Sequence, residues 1–215
     1  MVVQNSKYLV AFVAIGNNYN YVSQNYNYFP DHDCILFQYK NIFTKFKNCH
    51  IITEKWSWSK FLYSLTKNIT KRYDYTTIVL DDLKLLNYSF FKTIEYMSDN
   101  SVSNPTIIGS YYNSISNNIN HTEIFATTFT RKAWACWWDM MDILNIDFGK
   151  SIGWGFDLCF PVYCPFTKHI KTSDIGYHVS KKKSHTLKMN GNDEVLDYAK
   201  KIKKKIGKCC NKQVR

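Results

Sequence analysis

The run Tyr73-Asp-Tyr-Thr-Thr-Ile-Val-Leu-Asp-Asp-Leu83 constrains the fold more than any other stretch of this chain. From Tyr75 to Leu80 it is aromatic, β-branched and aliphatic, with no Gly or Pro, which is the composition of a strand covered on both faces. It then stops at two adjacent carboxylates. In open α/β sheets ligands sit beyond the carboxyl ends of the strands, so Asp81 and Asp82 stand where a phosphate-bearing substrate and its metal would bind. Hard oxygen ligands suit Mg²⁺ or Mn²⁺ bridging a diphosphate. A plainer role is equally open on the pair alone, that of capping a helix expected over residues 85–97.

The flanking sequence supplies the layers such a strand needs. Tyr8 to Ile15 is a second uninterrupted apolar run, ended by Gly16-Asn17-Asn18, and reads as a buried first strand with a turn at its carboxyl end. A short helix is expected over 19–29, a strand over Cys34 to Tyr39, another at Ile51-Ile52, and a helix over 55–68. Strand and helix alternate up to Asp82, which predicts an α/β fold with a mainly parallel central sheet flanked by helices. Beyond it the pattern is more irregular and mixed. It holds a helix over 85–97, short strands at 106–109 and 122–130, a surface loop over 110–121, a helix over 131–143, a Gly-rich loop over 149–157 and a short extended piece over 175–179. One glycine after the first strand is neither a dinucleotide fingerprint nor a phosphate-binding loop with its lysine.

At 215 residues the chain is expected to form one domain over 1–192, with a basic amphipathic helix and tail at 193–215 packed on it. The net charge of +11 is concentrated, since 14 Lys or Arg against 4 Asp or Glu lie between residues 168 and 215. Such a tail is ordinarily solvated. Its sharper reading is weak contact with an anionic membrane, and a basic nucleic-acid-binding protein rests on the tail alone, because the body carries no nucleic-acid motif. No apolar run approaches the roughly 20 residues that span a bilayer, and no leader precedes the first strand, so a cytoplasmic protein is expected. The Asn-, Lys- and Tyr-rich composition suits a virus with an AT-rich genome, whose protein would work in the host cytoplasm. Seven cysteines show no CxxC pair or zinc spacing and read as reduced thiols.

Several segments, in order, carry a resemblance. They are Leu36-Phe-Gln-Tyr39, Lys55-Trp56 with Ser59-Lys60-Phe61-Leu62, Tyr73-Asp-Tyr75 running into Asp81-Asp82-Leu83, and Phe129-Thr-Arg131 with Ala133-Trp134 and Cys136-Trp137. Gly153-Trp154-Gly155-Phe156-Asp157 and Asp174 to His178 complete the set. Together they resemble the nucleotide-sugar-dependent glycosyltransferases of the GT-A fold. More narrowly, they are similar to a glycosyltransferase-like domain family of plants and bacteria that also occurs in a chlorella-virus protein glycosylating the capsid. The family has Asp-x-Asp or Asp-Asp-Asp where this chain has Leu80-Asp81-Asp82, so the first carboxylate is missing.

That resemblance implies a sugar moved from a nucleotide-sugar donor, UDP-linked by analogy, to a glycan or glycoprotein acceptor, with Mn²⁺ or Mg²⁺ as cofactor and no nucleic-acid partner. Asp82 would be the direct metal ligand and His178 the second. Asp81 would orient its neighbour or contact the ribose or sugar. Asp157, after a Gly-Trp-Gly turn, would deprotonate the acceptor hydroxyl, with Trp154 stacking on a sugar ring. Lys60 and Arg131 would contact phosphate or sugar, and Ala14, Ile15 and Gly16 would cradle the base. Trp56 or Trp58 belongs to the core or lines the donor site. A nucleotide-sugar or glycan-binding module without turnover is the alternative that Leu80 keeps open.

Overall fold

The computed structural model describes residues 7–14, 19–65, 71–109, 124, 126–145, 155–178 and 191–206. Eight strands form one sheet: β1 Tyr8–Ala14, β2 Asp33–Gln38, β3 Cys49–Thr53, β4 Tyr75–Leu80, β5 Leu83–Asn87, β6 Ser101–Gly109, β7 Ala126–Thr130 and β8 Lys168–His178. Six described helices cover it: α1 Tyr19–Tyr26, α2 Trp58–Ser64, α3 Phe90–Glu95, α4 Arg131–Leu144, α5 Phe156–Tyr163 and α6 Gly191–Ile206. The order across the sheet is β3-β2-β1-β4-β7-β6-β8-β5.

The first four of these strands are parallel throughout. Beyond β4 the sheet is mixed. β7 runs antiparallel to β4 and β6, β8 runs parallel to β6, and β5 closes the edge antiparallel to β8. The fold is therefore mixed α/β, with four of its seven strand pairings parallel.

Strand periodicity sorts the side chains into two cores, because successive residues point to opposite faces. Val10, Phe12 and Ala14 of β1 join Val79 of β4 and Val22 of α1 on one side, with Phe90 of α3. Ala11 and Val13 join Ile78, Phe61 of α2, and Trp134 and Trp137 of α4 on the other, where Phe156 and Phe160 of α5 and Tyr198 and Ile202 of α6 also pack. Every described residue of β1 after Tyr8 is buried. That explains its continuous apolar sequence.

Two expectations are corrected here. The helix expected over 85–97 is a strand followed by a short helix. Leu83 and Leu85 are buried while Lys84 is half-buried, the alternation of a strand, and Leu83 lies opposite His178 in the ladder. Ser89 then starts α3, its Oγ accepting from the Lys92 amide. Because no helix follows Asp82 directly, the aspartate pair caps none; it forms the turn between β4 and β5.

The cysteines are the second correction. Cys34 and Cys49 are register partners on β2 and β3 and form a disulfide. Cys136 of α4 and Cys164, which ends α5, form another where the two helices pack. Cys159 is a buried cysteine outside these bridges. No helix among the described residues is long and apolar enough to cross a membrane. The loop expected over 110–121 lies outside the described residues.

One buried polar side chain ties the sheet edge to a helix. Asn25 of α1 is fully buried; its Nδ2 donates to Leu83 O at 2.7 Å and its Oδ1 accepts from Leu85 N at 3.0 Å. A primary amide offers the same donor and acceptor as a strand backbone, so Asn25 occupies the open ladder of edge strand β5. It thereby fixes the strand that follows Asp82.

Candidate functional site

The carboxyl ends of β1 to β4 lie together, and backbone bonds continue the ladder past them. Tyr39 N donates to Ala14 O, Glu54 N to Gln38 O and Asp81 N to Val13 O, each at 3.1 Å. Asp81 is thus held beside the end of β1, where it is buried at 3% exposure. A carboxylate this far from water is kept where local groups or a ligand offset its desolvation.

Asp82 follows on the turn into β5. Antiparallel pairing of β5 with β8 sets Leu83 opposite His178, and this brings two residues 96 positions apart into contact, His178 Nε2 to Asp82 Oδ2 at 3.1 Å. His178 is itself buried. The other carboxylate oxygen, Asp82 Oδ1, is buried without a hydrogen-bond partner. Buried carboxylate oxygens are costly to leave open, and this one is aligned with an imidazole already in place.

Strand β8 is anchored by a second acid. Asp174 and His178 share one face of the strand, and both are buried. Thr93 Oγ1 of α3 and Thr172 Oγ1 both donate to Asp174 Oδ2 at 3.2 Å. The Asp174-to-His178 segment therefore has one residue locking β8 to α3 and another facing Asp82.

On the other side of β1 stands Tyr19, the first residue of α1. Its hydroxyl is buried and has no hydrogen-bond partner, and burial, then the charge of Asp81, pushes its pKa up. Its ring meets Phe43 edge-on at 6.1 Å. Phe43 is held in turn by Gln38, a fully buried amide at the end of β2 that accepts from Phe43 N and donates to Phe43 O, both at 2.9 Å. Gln38 also donates to Thr53 Oγ1 at 2.8 Å. A Gln closing an otherwise apolar strand run was the sequence signal for this role; nothing comparable marked Tyr19 among 16 tyrosines.

The remaining expected residues divide. Ala14 is buried at the end of β1, while Ile15, Gly16 and Trp154 lie outside the described residues. Lys60 is in the first turn of α2, its Nζ over the Trp56 ring at 4.3 Å. Gly155 adopts a left-handed φ of 95°, the conformation that favours glycine, and starts α5 with Asp157 in its first turn. Phe156 packs edge-on against Trp58 at 5.7 Å, which brings the start of α5 to the start of α2. That contact places Asp157 and Lys60 toward the end of the sheet that carries Asp81.

Arg131 is not brought there. It starts α4 beside the amino end of β4, where its Nη2 meets Asp74 Oδ1 at 2.7 Å and its Nε donates to Tyr73 O at 3.1 Å. Seven residues of extended chain, about 20 Å, separate Asp74 from Asp81. Among the described residues no group of three or more His, Cys, Asp or Glu is arranged to hold a metal; the site offers the Asp82–His178 pair.

No family model matches the chain, and no curated protein matches it in sequence. Its fold is similar to that of 4-diphosphocytidyl-2C-methyl-D-erythritol synthase from Anaerococcus prevotii, with a TM-score of 0.50 over 91% of this chain and 96% of the other at 12% identity. The fold is therefore GT-A-like. Weaker likenesses are to A197 from STIV (TM-score 0.44, 14% identity, 81% and 86% of the two chains) and to the apo-form glycosyltransferase GlyE of Streptococcus pneumoniae (0.36, 12%, 65% and 38%). The narrower likeness to the plant, bacterial and chlorella-virus domains gains no support from these matches.

Proposed function

We propose that this protein is a glycosyltransferase that takes a sugar from a nucleoside-diphosphate sugar, UDP-linked, and passes it to a glycan or glycoprotein acceptor. The observation that carries the reading is the Asp82–His178 contact at the carboxyl end of the parallel strands, with Asp82 Oδ1 buried and unpartnered beside it. A carboxylate and an imidazole are ligands that Mn²⁺ accepts, and a cation bound chiefly by substrate phosphates needs only one or two protein ligands. Asp82 and His178 would hold it. When bound, such a cation neutralises charge developing on the departing diphosphate.

The protein's own groups supply the rest. Asp81, fixed to β1 through its amide, would face the nucleotide. Lys60 would offer its ammonium to the donor's phosphates from over Trp56. Asp157 would accept the proton of the acceptor hydroxyl, which gives the attacking oxygen its nucleophilic character. The synthase with the similar fold is named for a diphosphocytidyl compound, which is in keeping with a nucleotide at this end of the sheet.

A second reading keeps the site and drops the turnover. Leu80, where the resembling family has a carboxylate, packs against the main core instead. The same site would then bind a nucleotide sugar or glycan without transferring it. Titrating UDP into the protein with millimolar Mn²⁺ and again with EDTA tests what the two readings share. Metal-dependent binding supports both, and its absence with UDP, GDP, dTDP and CMP alike removes both. Release of nucleoside diphosphate from a bound donor then selects the enzyme; tight donor binding without release selects the module.

A further inference from the structure

We propose that helix α6 docks this protein on an anionic lipid surface: its outward lysines Lys200, Lys203 and Lys204 meet the headgroups, and Leu196 enters the boundary beneath them. The contact is separate from the nucleotide site and stands or falls without it.

The fold decides which face of α6 is free. Tyr198 and Ile202 are buried, and Tyr198 stacks on Phe156 of α5 at 5.3 Å. The apolar stripe of this amphipathic helix is thus spent on the domain itself. At 3.6 residues per turn, Leu196, Lys200, Lys203 and Lys204 fall within an arc of about 100° on the opposite side. All four are exposed. Leu196, at 40% exposure, is an apolar side chain on the face turned to water.

The charges in that arc have one sign. Asp197, at its edge, is taken by Lys201, whose Nζ meets Asp197 Oδ2 at 2.8 Å. Lys200 stands three and four positions from Lys203 and Lys204, the spacing at which like charges on a helix repel. A face that is merely solvated ordinarily mixes signs. An anionic surface laid along the helix turns the repulsion into shared attraction. The stripe from Leu196 to Lys204 is about 12 Å long, so its lysines lie together within a Debye length, about 8–10 Å, of such a surface.

Leu196 selects lipid among polyanions. A nucleic acid rewards aromatic stacking or side chains that read a groove, and none of the four residues is aromatic or arginine. A bilayer boundary takes an apolar side chain while lysines around it stay with the headgroups. Because α6 packs on the start of α5, whose first turn holds Asp157, a surface against the outer arc lies about one helix diameter, ~10 Å, from that turn.

The test is co-sedimentation of the full chain with vesicles of phosphatidylcholine alone and with about 30% phosphatidylserine. A lysine at such a surface contributes about fivefold in affinity, so three should give about a hundredfold preference for the anionic vesicles. Raising salt from about 0.05 to 0.5 M should cut that preference at least tenfold. Lys200→Gln, Lys203→Gln and Lys204→Gln together should abolish it without lowering the thermal midpoint, since they change side chains in water and relieve repulsion. The same three positions changed to Arg should keep it. Leu196→Gln should weaken anionic-vesicle binding about fivefold, the share of a leucine already partly buried.

Equal sedimentation of the wild type with both vesicles overturns the proposal, as does undiminished binding by the triple Gln variant. An unaffected Leu196→Gln variant overturns the choice of lipid, because charge alone does not tell a membrane from another polyanion. Tighter binding of a DNA or RNA oligonucleotide than of the anionic vesicles at equal salt overturns it too. Each of these leaves the nucleotide reading standing, since no nucleotide or metal enters the measurement.

Discussion

Strand β4 carries aspartates at both ends, and the two ends are finished differently. At the amino end Asp74 is half-exposed and paired with Arg131 at 2.7 Å, and Tyr73 donates to Asp33 at 2.7 Å. At the carboxyl end Asp81 is buried, Asp82 Oδ1 has no partner, and Tyr19 Oη has none. Polar groups that satisfy one another within the chain hold elements in register. Polar groups held rigidly but left open are arranged for something outside it. For these groups the structural pairing and the proposed binding site lie at opposite ends of β4, and each assignment can be broken.

The largest effect is expected from Asp82→Asn. It keeps the side-chain shape and a partner for His178 but removes the charge a divalent cation needs, so Mn²⁺-dependent UDP affinity should fall more than about a hundredfold, beyond the usual loss for a residue that only orients a ligand. Stability should stay within about 1 kcal/mol, since a half-buried charge with one open oxygen contributes little to folding. Isothermal titration and thermal unfolding read the two separately. Unchanged metal-dependent binding would remove Asp82 from the metal site and with it the functional reading of this end.

Much of the first half of the fold was legible because the code there is local. Tyr8–Ala14 and Tyr75–Leu80 are continuous apolar runs buried on both faces, and such runs admit few alternatives at that length. Residues 85–97 were read as one helix because Leu85, Leu86, Phe90, Phe91 and Ile94 fit a helical period, whereas the strand runs to Asn87 and only Phe90–Glu95 is helical. What decides the matter is pairing with β8 and the Asn25 amide, both contributed by distant segments. The disulfides were invisible for the same reason, since spacing does not report which strands or helices become neighbours. At the site, Asp82 was marked by the end of a strand run and His178 by a motif resemblance, and the ladder between β5 and β8 supplies the physical link that no spacing contained. Arg131 has the right chemistry but sits at the wrong end of the strand for the same role.

A smaller effect separates the tyrosines of the interior and the amino end from ligand binding. Burial, followed by the hydrogen bond and charge of Asp33, pushes Tyr73 up to about 12, and burial pushes Tyr88 up to about 12 despite bonds to Thr128 and Thr93. A phenol whose folded pKa lies above its unfolded value of 10 keeps its proton longer when folded. Its stabilising share is complete below pH 10 and is lost as pH rises from about 10 to 12. For the buried Tyr88 this is on the order of 2 kcal/mol. Stability measured by denaturant between pH 9 and 12 should decline, and Tyr88→Phe should flatten the decline. An equal slope in that variant would show that Tyr88 is not responsible.

The smallest effect sharpens the contrast most directly, because it puts a charged residue from the sequence resemblance on the structural end. Arg131→Ala removes the pair with Asp74 and the bond to the Tyr73 carbonyl, but both partners are substantially exposed, with 52% and 45% of their side-chain surface in solvent. Pairs of that exposure contribute roughly 0.2–1 kcal/mol. Unfolding should therefore shift only slightly, and less at high salt, where such a pair is screened. Affinity for UDP with Mn²⁺ should stay within about twofold, since β4 separates Arg131 from Asp81 by its whole length. A tenfold loss of UDP binding in this variant, with stability retained, would mean that the nucleotide reaches the amino end of β4. The division between a self-satisfied end and an open end would then not be the division between structure and function.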